Sequence, residues 1–560
     1  MHRTISPLVL WSAFDRANSL SRAKPPMTVS DRFNPRASRR EVLTASLALA
    51  AAQLFPGRAV AEARHGGILT IATQAEPRTL VPLLDTNTLT RNISTKVTEG
   101  LLTFDAQFNP KPLLATEWTV SPDGLDYAFK LRPNVKWHDG ASFTSEDVKF
   151  SLLALKKVGP RGRISFANIA DIETPDPLTV LVKLAKPTPY FLKALTAAES
   201  PIVPKHAYAS DDLAASPNNN APIGTGPFIF EEWKRGAYVR LKRNPSYWRA
   251  DRPYLDGIVV KFIGDAAAAS AALETGEIDI DANVAFSDLE RLGGIKALQV
   301  SSRRDGYLNN ASVLEFNLEH PELAKTPVRH AIAHAIDRNF IRDSIYYGHA
   351  DQIRSPIPEI FQAYHDPAGF NYPTDIARAN RLLDEAGVTR GRDGTRFSVR
   401  LTFIPGPAFK TTADYLRSAL SQIGIKVTVL EGDLATFIKR VYYEHQFDLN
   451  INGLGLLFDP TVGVQRIYWS DGIKNPLPYV NAAHYNNPAV DDLFRQASTE
   501  ADESKRAQQF RAFQTIASED LPALPLVSLR TVIVSSNRVK DIYNSVDLTA
   551  GDFSDTWLDR

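Results

Sequence analysis

Phe397-Ser-Val-Arg-Leu-Thr-Phe403 alternates apolar and polar residues with period two, and Ile425-Lys-Val-Thr-Val-Leu430 does the same. Between them Leu416, Ala419, Leu420 and Ile423 recur at helical spacing, and Gly424 ends the run. A second helical stretch over residues 434–443 leads into a third strand over 447–451. This β-α-β-α-β order predicts mainly parallel strands with right-handed crossovers and helices packed on the sheet. The ligand crevice of such a sheet lies beyond the carboxyl ends of its strands, here near residues 452–459.

Upstream, Thr326-Pro327 reads as a cap plus first-turn proline, and Val328, Ala331, Ile332, Ala335 and Ile336 give its helix an apolar face. Gly348 is the expected stop of that region. Residues 111–220 have a different texture: short alternating strands such as 127–131 and 179–184, one helix opened at Thr144, and many prolines. They read as a separate α+β subdomain. Pro217-Asn-Asn-Asn-Ala-Pro222 has the composition of an exposed linker, and residues 266–272 that of a small-residue helix or loop. No internal repeat is present.

The 560 residues are 44% apolar and 23% charged, a globular composition long enough for two to four domains. Lys plus Arg is 64 and Asp plus Glu is 63, so neither sign is in excess and no nucleic-acid partner is expected. The absence of cysteine excludes disulfides, thiolate metal sites, thiol nucleophiles and a lipoprotein cysteine. Arg39-Arg40 stands before an uncharged, mostly apolar run over residues 42–55, and either Ala59-Val60-Ala61 or Ala61-Glu62-Ala63 supplies a small-residue cleavage site. Residues 1–63 therefore read as a leader with a twin-arginine export signal. The run falls short of the roughly 20 residues a spanning helix needs, so no stable membrane insertion is expected. Residues before Met27 read as neither signal nor fold, and a start at Met27 gives a leader of ordinary length. The leader holds nine Lys/Arg and four Asp/Glu, which leaves 55 basic against 59 acidic residues, a balance of −4, in the rest. Twin-arginine export hints at a cofactor, but many such cargoes carry none, and none is expected here.

Groups that could move protons or hold a metal are sparse. His330 and His334 are four apart on one helix face, but Ala331 stands where a His-Glu-x-x-His pattern requires glutamate, so surface or interdomain histidines are the better reading. His138-Asp139-Gly140 reads as a turn rather than an acid/base pair, and Gly224-Thr-Gly-Pro227 as a tight turn rather than a phosphate cradle. No nucleophile elbow, Walker A loop or dinucleotide fingerprint is present, and no compact His/Asp/Glu cluster is evident.

Leu113-Leu-Ala-Thr-Glu-Trp-Thr-Val-Ser-Pro-Asp-Gly124, Tyr127-Ala-Phe-Lys-Leu-Arg-Pro-Asn-Val-Lys-Trp-His-Asp-Gly140 and Phe143-Thr-Ser-Glu-Asp-Val148 closely resemble the signature of family 5 extracellular solute-binding proteins. These are the dipeptide, oligopeptide and nickel receptors of ABC importers. The likeness continues through Gly224-Thr-Gly-Pro-Phe228, Arg243-Asn-Pro-Ser-Tyr-Trp248, Pro327-Val-Arg-His-Ala-Ile332, Ala335-Ile-Asp-Arg338, Leu382-Leu-Asp-Glu-Ala-Gly387, Tyr485-Asn-Asn-Pro488 and Leu521-Pro-Ala-Leu-Pro-Leu526. It implies a bilobal α/β periplasmic-binding-protein-like fold with an extra α+β subdomain, about 111–220, on the first lobe. The first lobe would be 64–305 with a return over 518–560, and the second 306–517. The resemblance implies a periplasmic receptor that closes on a small polar solute, peptide-like or other. It would deliver that solute to ABC permease subunits, with the ATPase engaged indirectly and no reaction of its own. The alternatives are an exported enzyme whose active site is the interlobe cleft, and a receptor that serves a sensor.

Peptide-binding members anchor the free amino terminus with an aspartate in a pattern resembling Asp-x-x-(Asp/Glu)-Pro. Here that run is Leu456-Leu-Phe-Asp-Pro460, which puts Leu456 at the anchoring position. An ammonium there would lose hydration without compensation. Either free α-amines are not bound, or Asp459 takes over, or the loop shifts. Asn452, Phe458, Arg466 and Trp469 are the polar and aromatic ligand candidates nearby, with core packing or a solvated face as their bland alternatives. Family analogy adds the loop Thr86-Asn-Thr-Leu-Thr-Arg-Asn92, where Thr88 faces the cleft and Arg91 could hold an anion.

Overall fold

The three strands expected around residue 400 form one parallel unit in the computed structural model, with Phe397–Phe403 between Ile425–Leu430 and Leu449–Gly455. The structure describes residues 63–559 apart from 86, 106–107, 209–211, 305–307, 475 and 544–546, so the leader lies outside it. Helix Pro407–Ser421 buries Leu416, Ala419 and Leu420 against the sheet. The second helix is shorter than expected: Asp433 caps Leu434–Ile438, and a π-turn, Lys439–Tyr443, follows. The third strand starts at Leu449; just before it, the side-chain amide of Asn317 donates to the carbonyl of Phe447 and the backbone N–H of Asn317 to that of Asp448.

From Leu449–Gly455 the sheet continues antiparallel through Asn310–Phe316 to the long strand Ala523–Ser536. That strand changes partners along its length. Its first part pairs with Asn310–Phe316 and Ala350–Gln352, with Leu529 opposite Ala350. From Arg530, opposite Arg304, it pairs with Leu298–Arg304 and then Ile280–Asp281. Beyond lie Ile68–Thr73, Gly257–Phe262, Tyr238–Arg243 and Phe228–Lys234, completing twelve strands among the described residues. Two α/β lobes thus share one strand that runs from one sheet into the other. Asp351 sits at the change-over and accepts from both Arg304 (2.9 Å) and Arg530 (2.5 Å).

The α+β subdomain is a four-stranded antiparallel sheet, ordered Ala115–Val120, Asp126–Leu131, Thr179–Leu184, Ile169–Asp176. Helix Ser145–Val158 packs on it, and Asp147 accepts from the Thr144 backbone N–H at 2.9 Å, one arm of a capping box. Residues 217–222 are not a free linker. Pro217–Asn219 is a 3₁₀ turn, Asn219 is buried, and its carbonyl accepts from Leu80 N and Thr79 Oγ1. Thr326 is the first helical residue rather than the cap, which falls on Lys325. No helix among the described residues is long and apolar enough to cross a membrane.

Several of the quoted strings are knots of the chain. His138 accepts from Gly224 N and meets Gly226 O through its other ring nitrogen, and burial pulls it down to about 4. A Cβ on Gly224 would stand 1.8 Å from the Val97 carbonyl, so that close approach requires glycine. Arg329 donates to the carbonyls of Leu323, Ala324 and Asp520, and Arg338 to those of Ile353 and Phe370. His330 and His334 bond separate carbonyls, Glu519 and Pro373, and both rings pack against Tyr372.

Candidate functional site

At the carboxyl end of Leu449–Gly455 the chain turns sharply. Leu457 has φ +58°, and this left-handed step sends neighbouring side chains in opposite directions. Leu456 is buried with Val464, Ile467 and Tyr468 in the core of the second lobe. Leu457, Phe458 and Val462 pack instead in the apolar cluster of the α+β subdomain. Phe458 therefore seals a seam between the two halves.

Asp459 caps helix Pro460–Gly463 by accepting from Thr461 N at 2.9 Å. Both of its oxygens also receive Arg506, at 2.6 and 3.0 Å, with the two side chains 0% and 2% exposed. Burial alone would raise this carboxyl, but the guanidinium overrides it and holds Asp459 below its ordinary value. Arg506 is further fixed by Ala497 O, Tyr364 Oη and Thr461 Oγ1. Asp459 is thus committed to the protein and is not available to an ammonium three residues away.

One face of Leu449–Gly455 presents Asn450 and Asn452 to Glu315 on the neighbouring strand. Their amide groups donate to Glu315 Oε2 at 2.7 and 3.1 Å, and Asn452 also reaches Tyr442 Oη at 2.6 Å. Burial pushes Glu315 up to about 7, against the pull of the amides and the charge of Arg466. Arg466 donates to the carbonyls of Gly455 and Tyr479, and burial pulls it down to about 10. The charge of Arg161 acts in the same direction on Arg466. Arg161 is ion-paired with the buried Glu199, which also feels Arg91. Trp469 accepts from Asn481 through its carbonyl, and its indole N–H has no protein partner.

Of the sequence candidates, Asn452 and Arg466 are joined through Glu315, while Leu456 and Asp459 are absorbed into the core and a buried ion pair. Helix Thr88–Ser94 is capped by Asn87; Thr88 is exposed on its first turn and Arg91 is buried. Sequence reasoning missed Glu315, Asn450, Arg161, Glu199 and Arg506. Glu315 alone carried a signal, as the one acid in the apolar run Ala311-Ser-Val-Leu-Glu-Phe316. The expectation that no compact His/Asp/Glu cluster exists is corrected: Glu319, His445 and His484 are brought together by chain segments far apart in the sequence.

The fold is two α/β lobes that share the strand Ala523–Ser536, with buried polar and charged groups near the carboxyl end of Leu449–Gly455. The signature of bacterial extracellular solute-binding proteins, family 5 (middle region), matches residues 109–476, and the chain belongs to this family. It is a solute-binding receptor of an ABC importer, acting outside the cytoplasm. A di/tripeptide-binding protein of Pseudomonas aeruginosa is 29% identical over 437 residues, covering 74% of this chain and 80% of the relative. NikZ from Campylobacter jejuni, solved with Ni(L-His), is 28% identical with a TM-score of 0.76 over 87% of this chain and 97% of that one. AgaA from A. tumefaciens R10, solved with agropinic acid, is 28% identical with a TM-score of 0.73 over 88% and 99%.

Proposed function

We propose that this receptor captures a small polar organic solute that carries an acid group and needs no free α-amine. The observation that carries this reading is the state of the crevice loop. Leu456, which the family pattern aligns with the anchoring position, is buried in the core, and Asp459 is neutralised by Arg506. An α-ammonium would find no carboxylate in that loop, whereas Arg91, Arg161 and Arg466 bring three positive charges into one neighbourhood with Glu199 and Glu315. The neighbour AgaA is solved with an acid, agropinic acid.

The lobes in this reading are 64–305 with 518–560, and 306–517, hinged where the strands cross. Ligand favours the closed form by its differential affinity, and the closed form is what permease subunits recognise, with the ATPase engaged indirectly. Thr88, Arg91, Asn452, Phe458, Arg466 and Trp469 are the residues assigned to the cleft, and the twin-arginine leader delivers the folded chain to the periplasm. No reaction, cofactor or nucleic acid enters.

The test is thermal shift of the refolded, ligand-stripped protein against short peptides, their N-acetylated forms, sugars, opine-like acids and metal chelates. Ligand at ~100 times its dissociation constant adds about 2.7 kcal/mol, which amounts to several degrees. A shift with carboxylate-bearing non-peptides is the expected result. A shift with free peptides that acetylation abolishes would overturn the reading.

A further inference from the structure

At the opposite end of the same strand from the crevice, Glu319 Oε2 lies 3.0 Å from His445 Nδ1, and Glu319 Oε1 lies 2.8 Å from His484 Nδ1. We propose that Glu319, His445 and His484 form a binding site for a divalent transition-metal ion of the zinc class.

The protonation pattern carries the argument. His445 Nε2 is 2.9 Å from the Ala482 carbonyl, and a carbonyl only accepts, so Nε2 holds the hydrogen. In the neutral ring Nδ1 is then a bare lone pair facing a carboxylate oxygen. Two such atoms at this distance need a positive charge between them, which either a second ring proton or a bound metal ion supplies. A ring N–H given to a backbone carbonyl is also the arrangement that orients histidine ligands in metal sites. The three donor atoms lie within 4.8 Å of one another. A tetrahedral ion with bonds of ~2.0 Å sets its ligand atoms roughly 3.3 Å apart, so the donors must draw together to bind one.

The surrounding backbone holds the donors in place. Leu318 N bonds Ala483 O at 3.1 Å, and Asn317 N bonds Asp448 O at 2.9 Å, tying the three segments together. Both histidines have φ +53°, a conformation that persists only where the surroundings impose it. The rings stack at 3.6 Å with 8° between their planes. Because lone pairs lie in the ring plane, one ring must turn to share an ion. His484, with its side chain 24% exposed, has the room, while His445 stays pinned by Ala482.

Two imidazoles and one carboxylate suit zinc, nickel or copper rather than magnesium or calcium, which take all-oxygen shells. Glu319 is 62% exposed, which leaves the outer coordination positions to water. Bound there, the ion joins the segments preceding and following the strand pair, independently of what the crevice binds.

The test is calorimetric titration of the chelator-treated full chain with zinc chloride and with magnesium chloride. The expected result is one zinc per chain, no magnesium binding, and zinc affinity lower by roughly tenfold or more in Glu319→Gln and in His484→Asn. A zinc-dependent rise in melting temperature should vanish in both variants. If His484→Asn does not fold, the exposed Glu319→Gln carries the test alone. Failure of the wild type to bind zinc at micromolar concentration, or equal affinity in the variants, would overturn the site.

Discussion

Asp459 and Glu315 are carboxylates of the same lobe, both almost wholly buried, and they sit in opposite electrostatic conditions. Asp459 has a bidentate guanidinium and stays below its ordinary pKa; Glu315 has two neutral amides and rises to about 7. Hydrogen bonds from amides soften the cost of burying a charge, but a paired cation is needed to reverse it. Asp459 is therefore a fixed post beneath the crevice loop. Glu315, pushed up to about 7, changes charge near neutral pH within reach of the charge of the buried Arg466.

The sharpest way to break this contrast is Arg506→Met, which strands the Asp459 charge in the interior and should cost about 3–5 kcal/mol in urea denaturation. Adding Asp459→Asn to it should restore part of the loss, since the uncompensated charge is removed. Glu315→Gln should act through pH. The folded pKa of Glu315 is about 7 against 4.5 unfolded, so the native state holds a proton that the unfolded chain has released, and stability falls as pH rises through that window. The glutamine variant should escape that fall, gaining on the wild type by up to about 3 kcal/mol between pH 5 and pH 8. The comparison with wild type matters, because Glu99 is also pushed up to about 7 and titrates alongside. The smallest effect is expected at Asp351, which also meets arginines but at a wetter surface, where Arg304 and Arg530 are 47% and 35% exposed. Asp351→Asn should change denaturation free energy by no more than about 1 kcal/mol.

The parallel unit around residue 400 was legible because strand alternation, helix spacing and Gly424 are all local. Pairing of Asn310–Phe316 with Ala523–Ser536 was not, since it joins mostly apolar segments about two hundred residues apart with no local pattern that names the partner. The same divide runs through the site. Asp459 was visible as an acid at the strand end, yet Arg506, 47 residues on, sits in a charge-rich helix that reads as solvated. Leu456 is legible as a leucine at the strand end, but its inward turn depends on the positive φ of Leu457, for which leucine gives no sign. Glu319 and His445 are 126 residues apart, and no spacing rule links them.

The strand Ala523–Ser536 also bears on how the molecule is made. It is the neighbour that both half-sheets lack until some thirty residues before the end of the chain. During synthesis from the amino terminus, Asn310–Phe316 and Leu298–Arg304 each wait with an open edge while more than two hundred further residues leave the ribosome. Open edges in unfinished chains are where strands pair wrongly. Completion of the fold is thus a late and nearly single event, and a chain stopped short of residue 536 leaves two unfinished sheets rather than one finished lobe.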